Sequence, residues 1–197
     1  IRFTPSDHFS GNVAINFTAY SKEIFGSSVS NGVTGSFTLN VEADADVPTL
    51  VTNPISHAIE DQTLSLLDPN TQNSVFSLSS PDTDEALKLK IEFITEGNHQ
   101  IFAGGNSVAD TDGVYLITEA QLDTFQIVPE SGFFGTMRLQ LSATSTEASN
   151  SDVAESATQV YEFEFAKVSD PPVLSASSTI EGNEDALITS GVSLGLS

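Results

Sequence analysis

Apolar and polar residues alternate with a period of two along most of the chain, as in strands with one buried and one wet face. In 86–94, Leu87, Leu89, Ile91 and Phe93 alternate with Lys88, Lys90 and Glu92. Met137, Leu139 and Leu141 share one face of 136–143, and Tyr161, Phe163 and Phe165 alternate with Glu162, Glu164 and Ala166. Near the start, Val13, Ile15 and Phe17, then Phe37, Leu39 and Val41, show the same pattern. Shorter strand candidates lie at 63–67, 74–78, 99–102, 113–117 and 125–128. Turn signals separate them: Asp68-Pro69-Asn70, Ser80-Pro81-Asp82, Glu96-Gly97-Asn98, Gly104-Gly105-Asn106 and the run 110–113. One segment reads as a single helical turn, opened by Thr118 with Gln121 three residues on. About seven to nine short strands with no long helix predict an all-β chain built as an antiparallel β-sandwich.

The pattern also repeats over a longer distance. Residues 1–73 and 125–197 align at a fixed offset of 124 positions. Pro5, Phe9 and Gly11 return as Pro129, Phe133 and Gly135; Ala19, Ser21 and Glu23 return as Ala143, Ser145 and Glu147. Asp46, Pro48 and Leu50 return as Asp170, Pro172 and Leu174, and Glu60-Asp61 returns as Glu184-Asp185. The identities are few, but they hold register without gaps until near the end, which marks tandem units. One period has the size of a single domain. Pro48 and Pro172 each follow a strong alternating strand that proline cannot continue. They divide the chain into 1–48, the last strands of a preceding repeat; 49–172, a complete repeat; and 173–197, the first strands of the next. An incomplete sandwich exposes sheet edges and half a core. Each end piece is therefore expected to pack against the other, against the complete repeat, or against a second chain by self-association.

Charge narrows the partners. Asp and Glu number 27 against 6 Lys and Arg, a net charge of −21. Such a surface has no basic patch to displace counterions from phosphate, so nucleic acid is excluded as a partner and anionic membranes are repelled. No stretch resembles a signal peptide or a membrane-inserting span. Cysteine is absent, which removes disulfides, thiol catalysis and cysteine-based zinc sites. Cations are the partners that the charge favours.

Three acidic elements recur or cluster where strands stop. Asp44 and Asp46 precede Pro48, and Asp170 precedes Pro172. Glu60-Asp61 recurs as Glu184-Asp185, and Asp82-Thr83-Asp84 leads into the alternating stretch 86–94. Calcium takes six to eight oxygen ligands, and alternate carboxylates in a tight loop can point at one ion. Converging carboxylates without a cation repel one another. Asp110-Thr111-Asp112-Gly113 is a weaker candidate, most simply a hairpin turn. His8, His57 and His99 sit at no metal-ligand spacing, no Gly-x-Ser-x-Gly elbow occurs, and acids in turns offer no cleft for glycoside hydrolysis. The chain does not read as an enzyme.

Ser169-Asp170-Pro171-Pro172-Val173-Leu174 followed by Glu184-Asp185 resembles the module junction of cadherin-like tandem repeats in bacterial RTX adhesins. So does the Asp82-Thr83-Asp84 loop ahead of Leu87-Lys88-Leu89, and the run from Leu122 through Pro129, Phe133 and Gly135 to Ala143. The resemblance spans essentially the whole chain, through short motifs whose order and spacing carry the weight. It implies Ig-like (cadherin-like) β-sandwich modules joined head to tail, type I secretion to the cell surface, and Ca2+ at the junctions. It further implies that Asp46 joins Asp82 and Asp84 at one end of the complete repeat, and that Glu60 and Asp61 join Asp170 at the other. Val168 stands where the earlier copy has Asp44, which thins the second junction.

These readings converge on a calcium-stiffened extender that supports cell adhesion, its partners being neighbouring repeats of the same polypeptide. Two alternatives remain: a glycan- or peptide-binding adhesive module, and a segment of an RTX toxin.

Overall fold

The computed structural model describes residues 2–55, 58–68, 70–176, 182, 184–185 and 192–195; His57 and Pro69 lie outside them, as does most of 177–197. Among the described residues, strands β1 (Gly11–Ala19) and β2 (Val33–Val41) pair only with each other, as an antiparallel hairpin. After the linker 42–48 come β3 (Thr49–Thr52), β4 (Ala58–Ile59), β5 (Leu64–Ser65) and β6 (Phe76–Ser79). The body continues through β7 (Glu85–Phe93), β8 (Gln100–Ala103), β9 (Asn106–Ser107) and β10 (Val114–Thr118). It ends with β11 (Gln126–Val128), β12 (Gly135–Glu147), β13 (Val153–Glu155) and β14 (Gln159–Ala166). A last antiparallel ladder joins β15 (Val173–Ala176) to β16 (Val192–Gly195).

The protein is nearly all β. The largest sheet runs β10-β7-β12-β14-β4, with β13 on the far part of β12, and all its pairings are antiparallel except β14 with β4. A second sheet runs β5-β11-β8-β9, and β3 pairs with β6. The period-two pattern aims Leu89 and Ile91, then Met137, Leu139 and Leu141, then Tyr161, Phe163 and Phe165 at one face of the large sheet. They join Leu64, Phe76, Ile101 and Ile127 of the smaller sheets in one buried cluster. This two-layer closure is consistent with a β-sandwich.

The predicted helical turn is a 3-10 turn at Glu119–Thr124, and Gln121 Oε1 accepts the Thr118 backbone N–H at 3.0 Å. Gly104 and Gly105, at φ 60° and 78°, turn β8 into β9, the left-handed pair that a tight hairpin demands. Strands β3, β4, β9 and β13 were not expected. They span two to four residues each, too few for alternation to register, and depend on a neighbouring strand.

Two hairpins share one register. Gly11 faces Val41 as Gly135 faces Phe165; Val13 faces Leu39 as Met137 faces Phe163; Ile15 faces Phe37 as Leu139 faces Tyr161. Every pair is displaced by the same 124 positions. The flanking turns match as well. Phe9 N–H donates to Ser6 O and Phe133 N–H to Glu130 O; Glu23 N–H donates to Ser28 O and Glu147 N–H to Asp152 O. The last ladder repeats another pairing, with Leu174 opposite Leu194 as Leu50 is opposite Leu78.

What differs is cover. Leu139 and Leu141 are fully buried, whereas Phe17 and Phe37 are 48% and 49% exposed. The first hairpin does not lay its apolar face on the body. Its hydrogen bonds to the body run through the linker instead, as the junction shows.

Candidate metal centre

The junction between the first hairpin and the body is a groove of about 390 Å³. One wall is the turn before β1, including Asp7, His8 and Phe9; the floor is the linker with Glu42, Asp44 and Asp46; the far wall is Asp82 and Glu147. Among the described residues, six carboxylates and no lysine or arginine line it.

Local chemistry holds the linker against the body. Ser145 Oγ donates to Asp46 O at 2.5 Å, and Asp46 N–H donates to Glu85 Oε1 at 2.5 Å. The other oxygen of Glu85 accepts from Ser80 Oγ. Ala45 N–H donates to Asp152 Oδ2 at 3.1 Å, and Asn150 Nδ2 donates to Ala43 O at 2.8 Å. Four backbone groups of 43–46 are thus satisfied by side chains of the body. The connection is a docked strap.

Two overlapping groups of ligand atoms arise there, each with its atoms within 4.8 Å of one another: Asp82, Asp84 and Glu147, and His8, Asp46 and Asp82. The first group can hold a metal ion. Glu147 is 3% exposed, and its Oε2 has no hydrogen-bond partner among the described residues. A buried carboxylate oxygen without a donor is costly unless something positive meets it. Its protonation follows suit: burial raises the Glu147 carboxyl above its ordinary range, and repulsion from Asp84, Asp82, Glu85 and Asp46 adds to the rise. Hydrogen bonding to Asp82 and repulsion from it push Asp84 up, while Asp82 is drawn down as the acceptor.

His8 Nδ1 lies 2.6 Å from Asp46 Oδ2, and that hydrogen bond holds the imidazole above its usual range.

Of the residues singled out in the sequence, Asp46, Asp82 and Asp84 meet at this junction, and Asp44 lines the same groove. Glu60, Asp61 and Asp170 do not form such a group among the described residues. Glu60 is buried and its Oε2 accepts the Val168 N–H at 2.9 Å. Asp61, at φ 59°, accepts the Gly132 N–H at 2.7 Å, so both acids are engaged in bracing the fold. Asp170, Glu184 and Asp185 are exposed and join no group either. Asp185, however, has the left-handed φ of its counterpart Asp61, 65° against 59°. Asp110 and Asp112 are exposed turn residues; Asp110 Oδ2 caps the Gly113 N–H at 2.9 Å.

Glu147 and His8 were missed as site residues. Glu147 carried a signal. The face defined by Met137, Leu139 and Leu141 continues at the same period through Ala143, Ser145 and Glu147, all buried, and the last three recur as Ala19, Ser21 and Glu23. A carboxylate on a core face, repeated in register, asks for a partner. His8 carried no such signal, because its neighbours Asp46 and Asp82 are distant in sequence.

No protein-family model matches the chain, and no curated protein or solved structure is significantly similar to it. Among the described residues, no helix is long and apolar enough to cross a membrane.

Proposed function

We propose that this chain is an extender segment of a large secreted, cell-surface adhesin, built from tandem Ig-like modules whose junctions are stiffened by calcium. The observation that carries the reading is Glu147: a buried carboxylate with an unpartnered oxygen, beside Asp82 and Asp84, at the place where the linker crosses onto the body. The donors are all oxygens and come from a loop and a strand end, which suits a hard cation of flexible coordination better than one demanding a rigid octahedron. Asp46 and water can complete six to eight ligands. The shared register of the two hairpins and the matching final ladder support tandem units, each laid down by the same pairing rules.

The mechanism is mechanical. An ion bound by Asp82, Asp84 and Glu147 neutralises carboxylates that otherwise repel one another, and a bond to Asp46 ties the linker to the body. Torsions in 42–48 that would act as a hinge are then fixed, and a string of modules becomes a rod. A groove lined by carboxylates in a chain without Trp favours a cation over a glycan.

The test is thermal unfolding in EDTA and in millimolar calcium. A ligand at 100 times its dissociation constant adds about 2.7 kcal/mol, so calcium is expected to raise Tm by several degrees. The double substitution Asp82→Asn with Asp84→Asn should abolish that rise. An identical Tm with and without calcium would overturn the reading.

A further inference from the structure

We propose that β15 and β16 of one copy of this chain dock on the apolar face of β1 and β2 of a second copy, so that copies associate head to tail. The inference rests on the tandem-unit reading and is independent of calcium at the junction.

The complete repeat supplies the template. There the β3–β6 pair covers the face of β12 and β14. Leu50 and Phe76 are buried with Leu139 and Tyr161, and Phe76 meets the Tyr161 ring edge-on with centroids 5.1 Å apart. Gln159 Nε2 donates to Leu50 O at 3.0 Å and Tyr161 Oη to Asn53 O at 2.6 Å. Displaced by 124 positions, β1 and β2 stand for β12 and β14, and β15 stands for β3; opposite Leu174, Leu194 takes the place of Leu78. Both halves of that contact are thus present in this chain, but apart. Among the described residues, β15 and β16 pair only with each other, and Phe17 and Phe37 stay half exposed. Gly35 and Phe37 occupy the places of Gln159 and Tyr161, and the Phe17 ring lies over Gly35 across the ladder, so the contact here is apolar.

Geometry assigns the two halves to different copies. The linker is strapped at the Ser145–Glu147 end of β12, whereas Phe165, near the end of β14, faces Gly135 at the other end. Those ends are separated by the 13 residues of β12, about 40 Å at a rise of about 3.3 Å per residue. The connection 167–172 reaches at most about 25 Å, too short to bring β15 back to the strapped end. Charge supplies an independent argument. β1, β2, β15 and β16 contain no charged residue in a chain of net charge −21, whereas β7 alone has four. Copies that repel one another elsewhere meet at these strands without like charges, and no lysine or proline blunts the open edges. Two-stranded elements make a small interface, so assembly grows in only as concentration rises.

Sedimentation velocity at rising concentration, in EDTA and in calcium, reads the assembly. The mean mass should exceed that of one chain and grow with concentration in both media, because a head-to-tail contact extends from copy to copy. Phe17→Asp combined with Phe37→Asp should hold the mass at one chain while the melting of the body is unchanged. The absence of cysteine allows a second measurement. A Phe37→Cys chain mixed with a Leu174→Cys chain and treated with a short bismaleimide should give linked peptides containing one of each. Links confined to Phe37→Cys with itself would mean that hairpins stack on one another, and would overturn the proposal. So would a parent that stays at one chain at every concentration, or a double Asp variant that still assembles. A monomer whose Tm rises with calcium would overturn this contact and leave the calcium reading standing. Assembly through these strands in a chain whose Tm ignores calcium would do the reverse.

Discussion

Glu147 brings a carboxylate oxygen within 4.8 Å of Asp82 at the buried end of β12, and no donor among the described residues reaches its Oε2. The two residues come from opposite sides of the body's end: Asp82 from the loop before β7, Glu147 from the last position of the strand that pairs with β7. Glu147 lies opposite Glu85 in that ladder, so the pairing itself gathers acids at one rim. Like charges directly opposite destabilise a sheet unless a counter-charge arrives. The fold therefore places strain at the point where the linker crosses.

That strain predicts the behaviour of Glu147→Gln. The amide keeps the shape and removes the charge from a site with no cation of its own. In EDTA the variant should melt higher than the parent, the relieved cost being on the order of 1–3 kcal/mol. In calcium its additional rise in Tm should be much smaller. A variant less stable than the parent in EDTA, with a full calcium response, would show that Glu147 is neither strained nor a ligand.

The linker strap makes a second prediction. Ser145 is buried and donates to the Asp46 carbonyl, so Ser145→Ala leaves that carbonyl without its donor at a cost of about 1 kcal/mol. The loss should be local. Amide exchange at Ala45 and Asp46, whose N–H groups donate to Asp152 and Glu85, should quicken while β12 and β14 keep their protection. Unchanged exchange at both amides would mean that Ser145 does not hold the strap.

Strand identity was legible because alternation is a one-dimensional signal: Leu89 and Ile91, or Phe163 and Phe165, mark one face by spacing alone. Phe17 and Phe37 carry the same spacing and are 48% and 49% exposed, so burial depends on what the fold lays over that face. The recurrence at 124 positions was legible for the same reason, and it reappears as a common register of Gly11 with Val41 and Gly135 with Phe165. The acids were harder. Asp82 and Asp84 stand out as a local motif. Glu60 and Asp61 look equally conspicuous, yet one caps the Val168 N–H and the other the Gly132 N–H. A carboxylate used as a cap and one held for an ion have the same letter, and long-range folding alone separates them. His8 and Asp46, 38 positions apart, meet only because the hairpin closes and the linker returns.

The equal registers allow a controlled comparison. Leu139 and Ile15 occupy equivalent places opposite Tyr161 and Phe37, but Leu139 is fully buried and Ile15 is not. Leu139→Ala should lower the stability of the body by about 2–5 kcal/mol through lost burial and a cavity. Ile15→Ala should leave the urea midpoint of the body within about 0.5 kcal/mol, as at an ordinary surface position. Equal losses would show that the first hairpin's apolar face is covered in solution.

His99 predicts a pH effect whose sign opposes that of the overall charge. Its ring is 4% exposed and packs edge-on against Phe133, with centroids 4.7 Å apart. Nδ1 accepts the Glu130 N–H at 3.1 Å and Nε2 donates to Glu96 O at 3.2 Å, an arrangement that requires the neutral imidazole. Burial accordingly lowers its pKa below 6.5, although Glu96 and Glu130 pull the other way. Between the folded value and 6.5 the unfolded chain binds more protons, so this group's stabilisation is complete above 6.5 and is lost as pH falls. The acidic surface behaves oppositely, since protonating carboxylates in a chain of net charge −21 relieves repulsion. Comparison with His99→Gln, which keeps one donor and one acceptor but does not titrate, separates the two. The parent's stability relative to the variant should shrink as pH is lowered from about 7.5 to about 5.5, read from urea midpoints at each pH. A difference that stays constant across that range would mean that His99 remains neutral, or charges equally, in both states.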